Sequence, residues 1–292
     1  MTERERALTI HATEIAAVEE RVEAAAAQGG RAPQQGARGR AFALPLALAA
    51  AWFALSESGA ISSQIFPAPQ AVLHDLWRLT ANGQLAGHIA ITTWRVALGF
   101  AAGTLAATAL GAATGYSRRA REFLDPTIQA LKAVPSLAWV PLFILWFGIF
   151  ETSKIALIAV GVFFPVYLNL MTGLQGVDRR LVEVGLVNNF GAFDLVRHIL
   201  APATLPNYFT GLRAGLALGW MFVIAAELMG ASQGLGFLMI DGEMTGRPAI
   251  IVGALILFAV AGKISDALLV AVGRRLLSWQ DDFAALQDRE RA

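Results

Sequence analysis

The sequence predicts an all-α fold: a polytopic membrane helix bundle of about six transmembrane helices. Three observations carry this. Of 292 residues, 56% are hydrophobic and 15% charged, with mean hydropathy +0.55; a soluble domain carries roughly 25% charge. The apolar residues gather into separate runs of membrane length. The Lys and Arg between those runs are unevenly shared, sixteen on one set of connections and three on the other. By the positive-inside rule, both termini are expected in the cytoplasm of a multi-pass membrane protein.

Composition also excludes. There is no Cys, so no disulfide, thiolate metal site or Cys nucleophile. The four His, at 11, 74, 88 and 198, show no ligand spacing, and no metal site is expected. A net charge of +1 gives no ground for a nucleic-acid partner. The N-terminus lacks the charged start and apolar run of a cleavable signal.

The expected elements follow in order. Residues 1–40 form a cytoplasmic tail; Leu8, Ile15, Val18 and Val22 sit at helical spacing, and Gly29–Gly39 reads as a flexible linker. The transmembrane domain covers 41–273. Its first span, 41–57, is short, since 16 apolar residues rise only about 24 Å. A helix near Gln70–Thr80 is expected outside the bilayer. The second span, 93–116, carries Gly99/Gly103 and Gly111/Gly115, small pairs that permit close helix packing. The third, 128–150, is interrupted by Pro135 and Pro141, and broken helices of this kind line transport cavities. Lys132, Ser136 and Trp139 are its candidate pathway residues, although Trp139 and Trp146 would serve equally as interfacial anchors. The fourth span, 154–177, contains Pro165. The fifth, 205–230, repeats Gly at 211, 215 and 219. The sixth, 249–273, precedes a cytoplasmic tail over 274–292.

Charges inside spans are costly and become candidates for function. Arg213 either snorkels or faces the pathway. Glu227, near the outer end of its span, suits a gate or a structural hydrogen bond. Lys263 and Asp266, three residues apart, are expected to pair. No Gly-x-x-x-x-Gly-Lys-[Ser/Thr] phosphate loop exists. Gly234-x-Gly236 lacks the setting of a dinucleotide loop, and no nucleophile set is visible. The chain is therefore expected not to be an enzyme and to bind no cofactor.

Between the fourth and fifth spans lies a polar-interrupted connection, 178–204, that reads as two short helices with a bend. Asp178 is a natural N-cap. Asn189 and Gly191 tolerate a left-handed backbone. Pro202 is expected to end the second helix.

This connection resembles the cytoplasmic loop of permease subunits of bacterial ATP-binding-cassette importers, with the pattern Glu-Ala-Ala, three residues, Gly, nine residues, Ile, one residue, Leu-Pro. Glu183, Ile199 and Pro202 keep the spacing. Val184 and Gly185 replace the two Ala, Asn189 the Gly and Ala201 the Leu. Phe66-Pro67-Ala68-Pro69, Leu124-Asp125-Pro126, Lys132-Ala133-Val134-Pro135, Trp146-Phe147-Gly148 and Phe163-Phe164-Pro165 look like the branch importing aliphatic sulfonates, taurine and nitrate.

The resemblance implies a type I importer permease. It implies two copies forming the channel within membrane lipid, a cytoplasmic ATPase dimer carrying ATP and Mg, and a periplasmic binding protein. Glu183 through Asn189 would then be the docking helix, with Leu186 and Val187 supplying apolar contact, and Gly191 to Arg197 the second arm. A secondary transporter or channel needing no motor is the alternative; it would show inverted repeats and more intramembrane acids.

Overall fold

A computed structural model of the chain describes residues 35–59 and 62–277. Every regular element among them is helical. The expected amphipathic helix over Leu8–Val22 and the tail beyond 277 lie outside the described residues.

The first helix, α1 (Gln35–Glu57), has 23 residues and rises about 34 Å, but its added N-terminal residues are polar, so the apolar part stays as short as predicted. The helix begins inside the stretch read as linker. The apolar segment supplies a nucleus, and adding Ala, Arg and Gln residues to an existing helix is cheap. α1 up to Trp52 belongs to a compact unit separate from the one that begins at Phe53.

From Phe53 onward, four helices are long and apolar enough to cross a membrane. α2 (Pro69–Ala81) matches the expected short helix, with Pro at its N-terminal turn. α3 (Gln84–Tyr116) starts nine residues before the predicted second span. α4 (Arg118–Ala133) follows a one-residue break at Ser117, whose hydroxyl accepts from the Ala120 N–H and caps it. Arg121, from the predicted basic knot, donates to the Thr114 and Gly115 carbonyls at 3.0 and 3.2 Å, closing the C-terminus of α3.

The predicted third span is not one helix. α4 ends before Val134, which is extended (φ −71°, ψ 124°) because a residue preceding Pro is pushed out of the helical region. A 3₁₀ turn, Ser136–Ala138, leads into α5 (Trp139–Phe147). Nine residues rise only about 14 Å, half a bilayer.

α6 (Glu151–Gln175) is the central helix. Leu157, Ile158, Val162, Val166 and Tyr167 are all fully buried on it. The glycines flagged in the sequence are the reason. A methyl at Gly111 would meet Leu170 at 3.2 Å, and one at Gly115 would meet Leu174 at 2.6 Å. From the other side, a methyl at Gly215 or at Gly219 would lie 3.2 Å from Val162. Along α3 and α6 the partners rise together, so the two run parallel. The connection 118–150 must therefore return the chain across the bundle, which α4 and α5 do in two pieces. Asp125 of α4 accepts from the Tyr167 hydroxyl at 2.9 Å.

α7 (Arg179–Val187) and α8 (Ala192–Leu195) form the hairpin. A π-helical turn, Val196–Leu200, joins α8 to α9 (Ala201–Leu228). α9 runs antiparallel to α6, with Gly211 beside Asn169 and Gly173 beside Asn207. α10 (Leu235–Met244) and α11 (Pro248–Leu276) complete the described chain. α11 packs antiparallel along α9, the Trp220 indole donating to Ser265 Oγ at 2.8 Å.

Candidate functional site

α9 links two unlike sites, one at each end. At its N-terminal end stands the hairpin. Asp178 caps α7 as expected, its carboxylate accepting from the Arg180 N–H at 2.9 Å. Arg179 pairs with Glu183 at 2.8 Å on the exposed face. The α7 C-terminus closes in a Schellman arrangement: the Phe190 N–H reaches the Gly185 carbonyl and the Asn189 N–H reaches Leu186, both at 3.0 Å. Asn189 takes φ +58°, the one positive-φ residue other than glycine among the described residues. A short amide side chain tolerates that region better than other L side chains.

Gly191 does not share it. Its φ is −68° with ψ 172°, an extended entry to α8, because Asn189 alone supplies the reversal. Gly185 is buried in the hairpin's inner angle. A methyl there would lie 2.6 Å from Ile199 Cδ1 and 2.9 Å from Leu195 Cδ1. Ile199, kept at the expected spacing, therefore packs into the space that the missing side chain leaves. Phe190 closes the outer edge against His198, ring centroids 5.6 Å apart.

Pro202 does not end a helix. It cannot donate to the His198 carbonyl and its ring crowds that position. The preceding turn widens instead, the Ala201 N–H bonding to Val196, and the backbone stays helical from Ala192 to Leu228 over 37 residues. The hairpin's second arm is thus the end of a rod about 55 Å long. The hairpin's free surface is apolar: Val184, Leu186 and Phe193 are exposed, and Val187 is 82% exposed. The apolar contact expected of Leu186 and Val187 is geometrically available.

At the other end of α9 is a buried charge cluster. Glu227 is wholly buried and Arg95 of α3 is 2% exposed. Arg95 Nη1 donates to Glu227 Oε1 and to the Gln233 carbonyl, each at 2.7 Å. Its Nε and Nη2 grip the Glu151 carboxylate at 2.6 and 2.7 Å. Thr92 donates to Glu227 Oε1 at 2.7 Å and accepts from the Leu235 N–H at 2.8 Å. The Gly236 N–H donates to Glu227 Oε2 at 2.7 Å. Lys154 reaches the Ile149 carbonyl at 3.0 Å and Glu151 at 3.4 Å.

Gly234 (φ +129°) holds its backbone against the Glu227 carboxylate, where any Cβ would collide. Its N–H donates to His88 Nδ1 at 3.0 Å. Two carboxylates balance one guanidinium and one ammonium, and both Glu227 oxygens have donors. Glu227 joins α3, α9 and the start of α10 through these bonds, while Glu151 brings in α6.

The remaining predicted pathway residues do not converge. Lys132 is exposed on the last turn of α4, and Ser136 lies in the 3₁₀ turn. Trp139 stacks on Phe143, its Nε1 buried without a hydrogen-bond partner among the described residues. Arg213 is bound elsewhere: its Nε and Nη2 hold Asp266 at 2.8 and 3.2 Å. Asp266 thus has Arg213, across the helix–helix contact, as its main partner. Lys263, expected to fill that role, stands at 4.0 Å, because a planar guanidinium matches a carboxylate in two bonds and an ammonium does not.

Arg95, Glu151, Thr92, Lys154, Gly234 and Gly236 were missing from the sequence-based candidates. Arg95 lies at the edge of the predicted 93–116 span; with the helix starting at Gln84 it becomes an interior charge that demands a carboxylate.

Comparison with known proteins adds the family. Residues 99–278 match the model of the binding-protein-dependent transport system inner membrane component. A Bacillus subtilis protein named as an aliphatic sulfonates transport permease is 39% identical over 240 residues, covering 82% of this chain and 87% of its own. One of the same name from Escherichia coli is 38% identical over 236 residues, covering 81% and 90%. The Escherichia coli taurine transport system permease protein is 34% identical over 239 residues, covering 79% and 86%. Helices built to cross a membrane and a closed hairpin at one end agree with this: the chain belongs to the inner-membrane permease components of binding-protein-dependent ATP-binding-cassette importers, in the sulfonate and taurine permease branch.

Proposed function

We propose that this chain is the permease half-channel of an ATP-driven importer for a small anion, an aliphatic sulfonate first and taurine or nitrate next. In this reading two copies form the channel, and the hairpin of each docks on a cytoplasmic ATPase subunit that holds ATP and Mg. A periplasmic binding protein delivers the solute to the opposite face. Both termini lie in the cytoplasm, as the sixteen-to-three distribution of Lys and Arg favours.

One observation carries the reading. The hairpin is closed by its own packing, yet leaves apolar side chains at its tip, and its second arm is continuous with α9. A push on Val187 or Phe193 is delivered to a rod that reaches Glu227 without a break in helical backbone. ATP-driven closure of the motor dimer would draw the two hairpins together and swing the bent α4–α5 crossing, exposing the cavity to the binding protein; ADP release reverses it.

The substrate order rests on the names borne by the relatives. The test is uptake in membranes carrying the chain with its companion ATPase and binding protein. The expected result is ATP-dependent accumulation of an alkanesulfonate, abolished by Leu186→Asp with Val187→Asp while the chain's abundance is unchanged. Accumulation driven by an ion gradient in the absence of any ATPase would overturn the proposal in favour of a secondary transporter.

A further inference from the structure

The pair formed by Arg213 and Asp266, with Lys263 beside it, is left unexplained by the hairpin and by the buried cluster. Lys263 lies in α11, which runs from Pro248 to Leu276 over 29 residues. Arg247 precedes that helix and Arg274 lies in its last turn. At 1.5 Å per residue, Lys263 is about 24 Å from the first and about 16 Å from the second. It stands near mid-depth of the span, beyond the reach of a snorkelling side chain to the nearer interface. Arg213 is equally central in α9.

Depth and exposure are in conflict if this face meets lipid. The Lys263 side chain is 81% exposed, and that of Arg213 is 53%. A single such charge at a helix centre is costly to set against lipid. Asp266 is already saturated by the two Arg213 bonds, so the group carries one net positive charge on Lys263. One i+4 row further round α11, Val260, Ile264, Leu268 and Val272 are all exposed and apolar, as a lipid face requires. Lys263 is the one charged side chain on its own row, beside Ala259 and Ala267; a polar environment for it requires the boundary with lipid to run along α11 between that row and the row of Ile264 and Leu268.

We propose that Lys263, buttressed by the Arg213–Asp266 pair, is a mid-membrane station for the transported anion, lining an aqueous route along the exposed face of α11 that carries Lys263 and Ala267. The three ammonium protons, with the guanidinium protons that Asp266 leaves available, suit an anionic group bearing several acceptor oxygens, such as a sulfonate. The inference rests on the anion-importer reading of the preceding subsection and deepens it.

The chain has no Cys, so single-cysteine chemistry on the assembled transporter in native membranes is clean. With Ala267→Cys, one turn from Lys263, a negatively charged methanethiosulfonate should react several-fold faster than a positively charged one. Adding Lys263→Gln should remove or invert that ratio, and Lys263→Arg should keep it. Leu268→Cys should react at least tenfold more slowly with both reagents. An unreactive Ala267→Cys, or a charge ratio indifferent to Lys263, would overturn the proposal and indicate that a second copy or lipid covers this face.

Uptake separates the two levels of the argument. Lys263→Gln should lower alkanesulfonate uptake at least tenfold with ATPase activity retained, and undiminished uptake would overturn the station. If the wild type carries no anion while the labelling pattern holds, the water-lined route stands and the substrate class is what fails.

Discussion

The two ends of α9 are built on opposite principles. At the Glu227 end, every hydrogen-bonding oxygen of a wholly buried carboxylate is taken, and the partners come from α3 and the start of α10. At the hairpin end, the polar contacts are local, such as Arg179 with Glu183, and the largest side chains point outward. A saturated buried cluster is costly to assemble and costlier to break; it holds a geometry. An exposed apolar tip on a self-closed hairpin gains free energy only when something covers it. The contrast teaches that one helix can carry a fixed joint and a contact surface, provided that the rod between them is continuous.

The comparison breaks most sharply at the joint. Glu227→Ala would leave the buried Arg95 facing an empty acceptor site, and a loss of about 3–5 kcal/mol is expected, read as a fall in thermal unfolding temperature in detergent and a poor yield of folded chain. Glu227→Gln should lose less, because an amide oxygen still accepts from Thr92 and Arg95. Arg95→Ala combined with Glu227→Ala should fall short of the sum of the single losses by roughly 0.5–3 kcal/mol.

At the tip the prediction reverses. Leu186→Asp with Val187→Asp should leave unfolding within about 0.5 kcal/mol, as exposed substitutions do, yet reduce coupled uptake at least tenfold. A smaller effect comes from the turn. Asn189→Val forces a branched side chain to φ +58° and should cost about 1–2 kcal/mol, visible as faster proteolysis at the hairpin, while Asn189→Gly should be nearly silent. Arg179→Ala, which removes an exposed pair, should cost less than about 1 kcal/mol by the same assay. Tip substitutions that unfold the chain, or joint substitutions that only slow transport, would erase the distinction.

How legible each end was follows from the range of its interactions. The hairpin is local: Asp178, Asn189 and Ile199 act on residues a turn or two away, and spacing alone reports them. Even there, the role of Pro202 was misread, since a widened turn satisfies a proline as well as a helix end does. Glycine stripes on α3 and α9 were legible as packing faces, but not their shared target α6. Of the joint, only Glu227 was legible, as a costly charge within a span; its partners were not. Arg95 is separated from Glu151 by 56 residues and from Glu227 by 132, and no local pattern connects them. The third span read as interrupted at both Pro135 and Pro141; the break falls at Pro135, whereas Pro141 lies in the first turn of α5, where a proline is tolerated.

The account's central claim is that the hairpin tip is a contact surface for the ATPase on the cytoplasmic side. A single cysteine at Val187, in a chain otherwise free of cysteine, tests it directly by crosslinking in native membranes. The account predicts a crosslink to the ATPase subunit whose yield changes on adding ATP and Mg. A Val187→Cys chain that forms no such crosslink, and is labelled instead by a membrane-impermeant reagent applied outside intact cells, would contradict it.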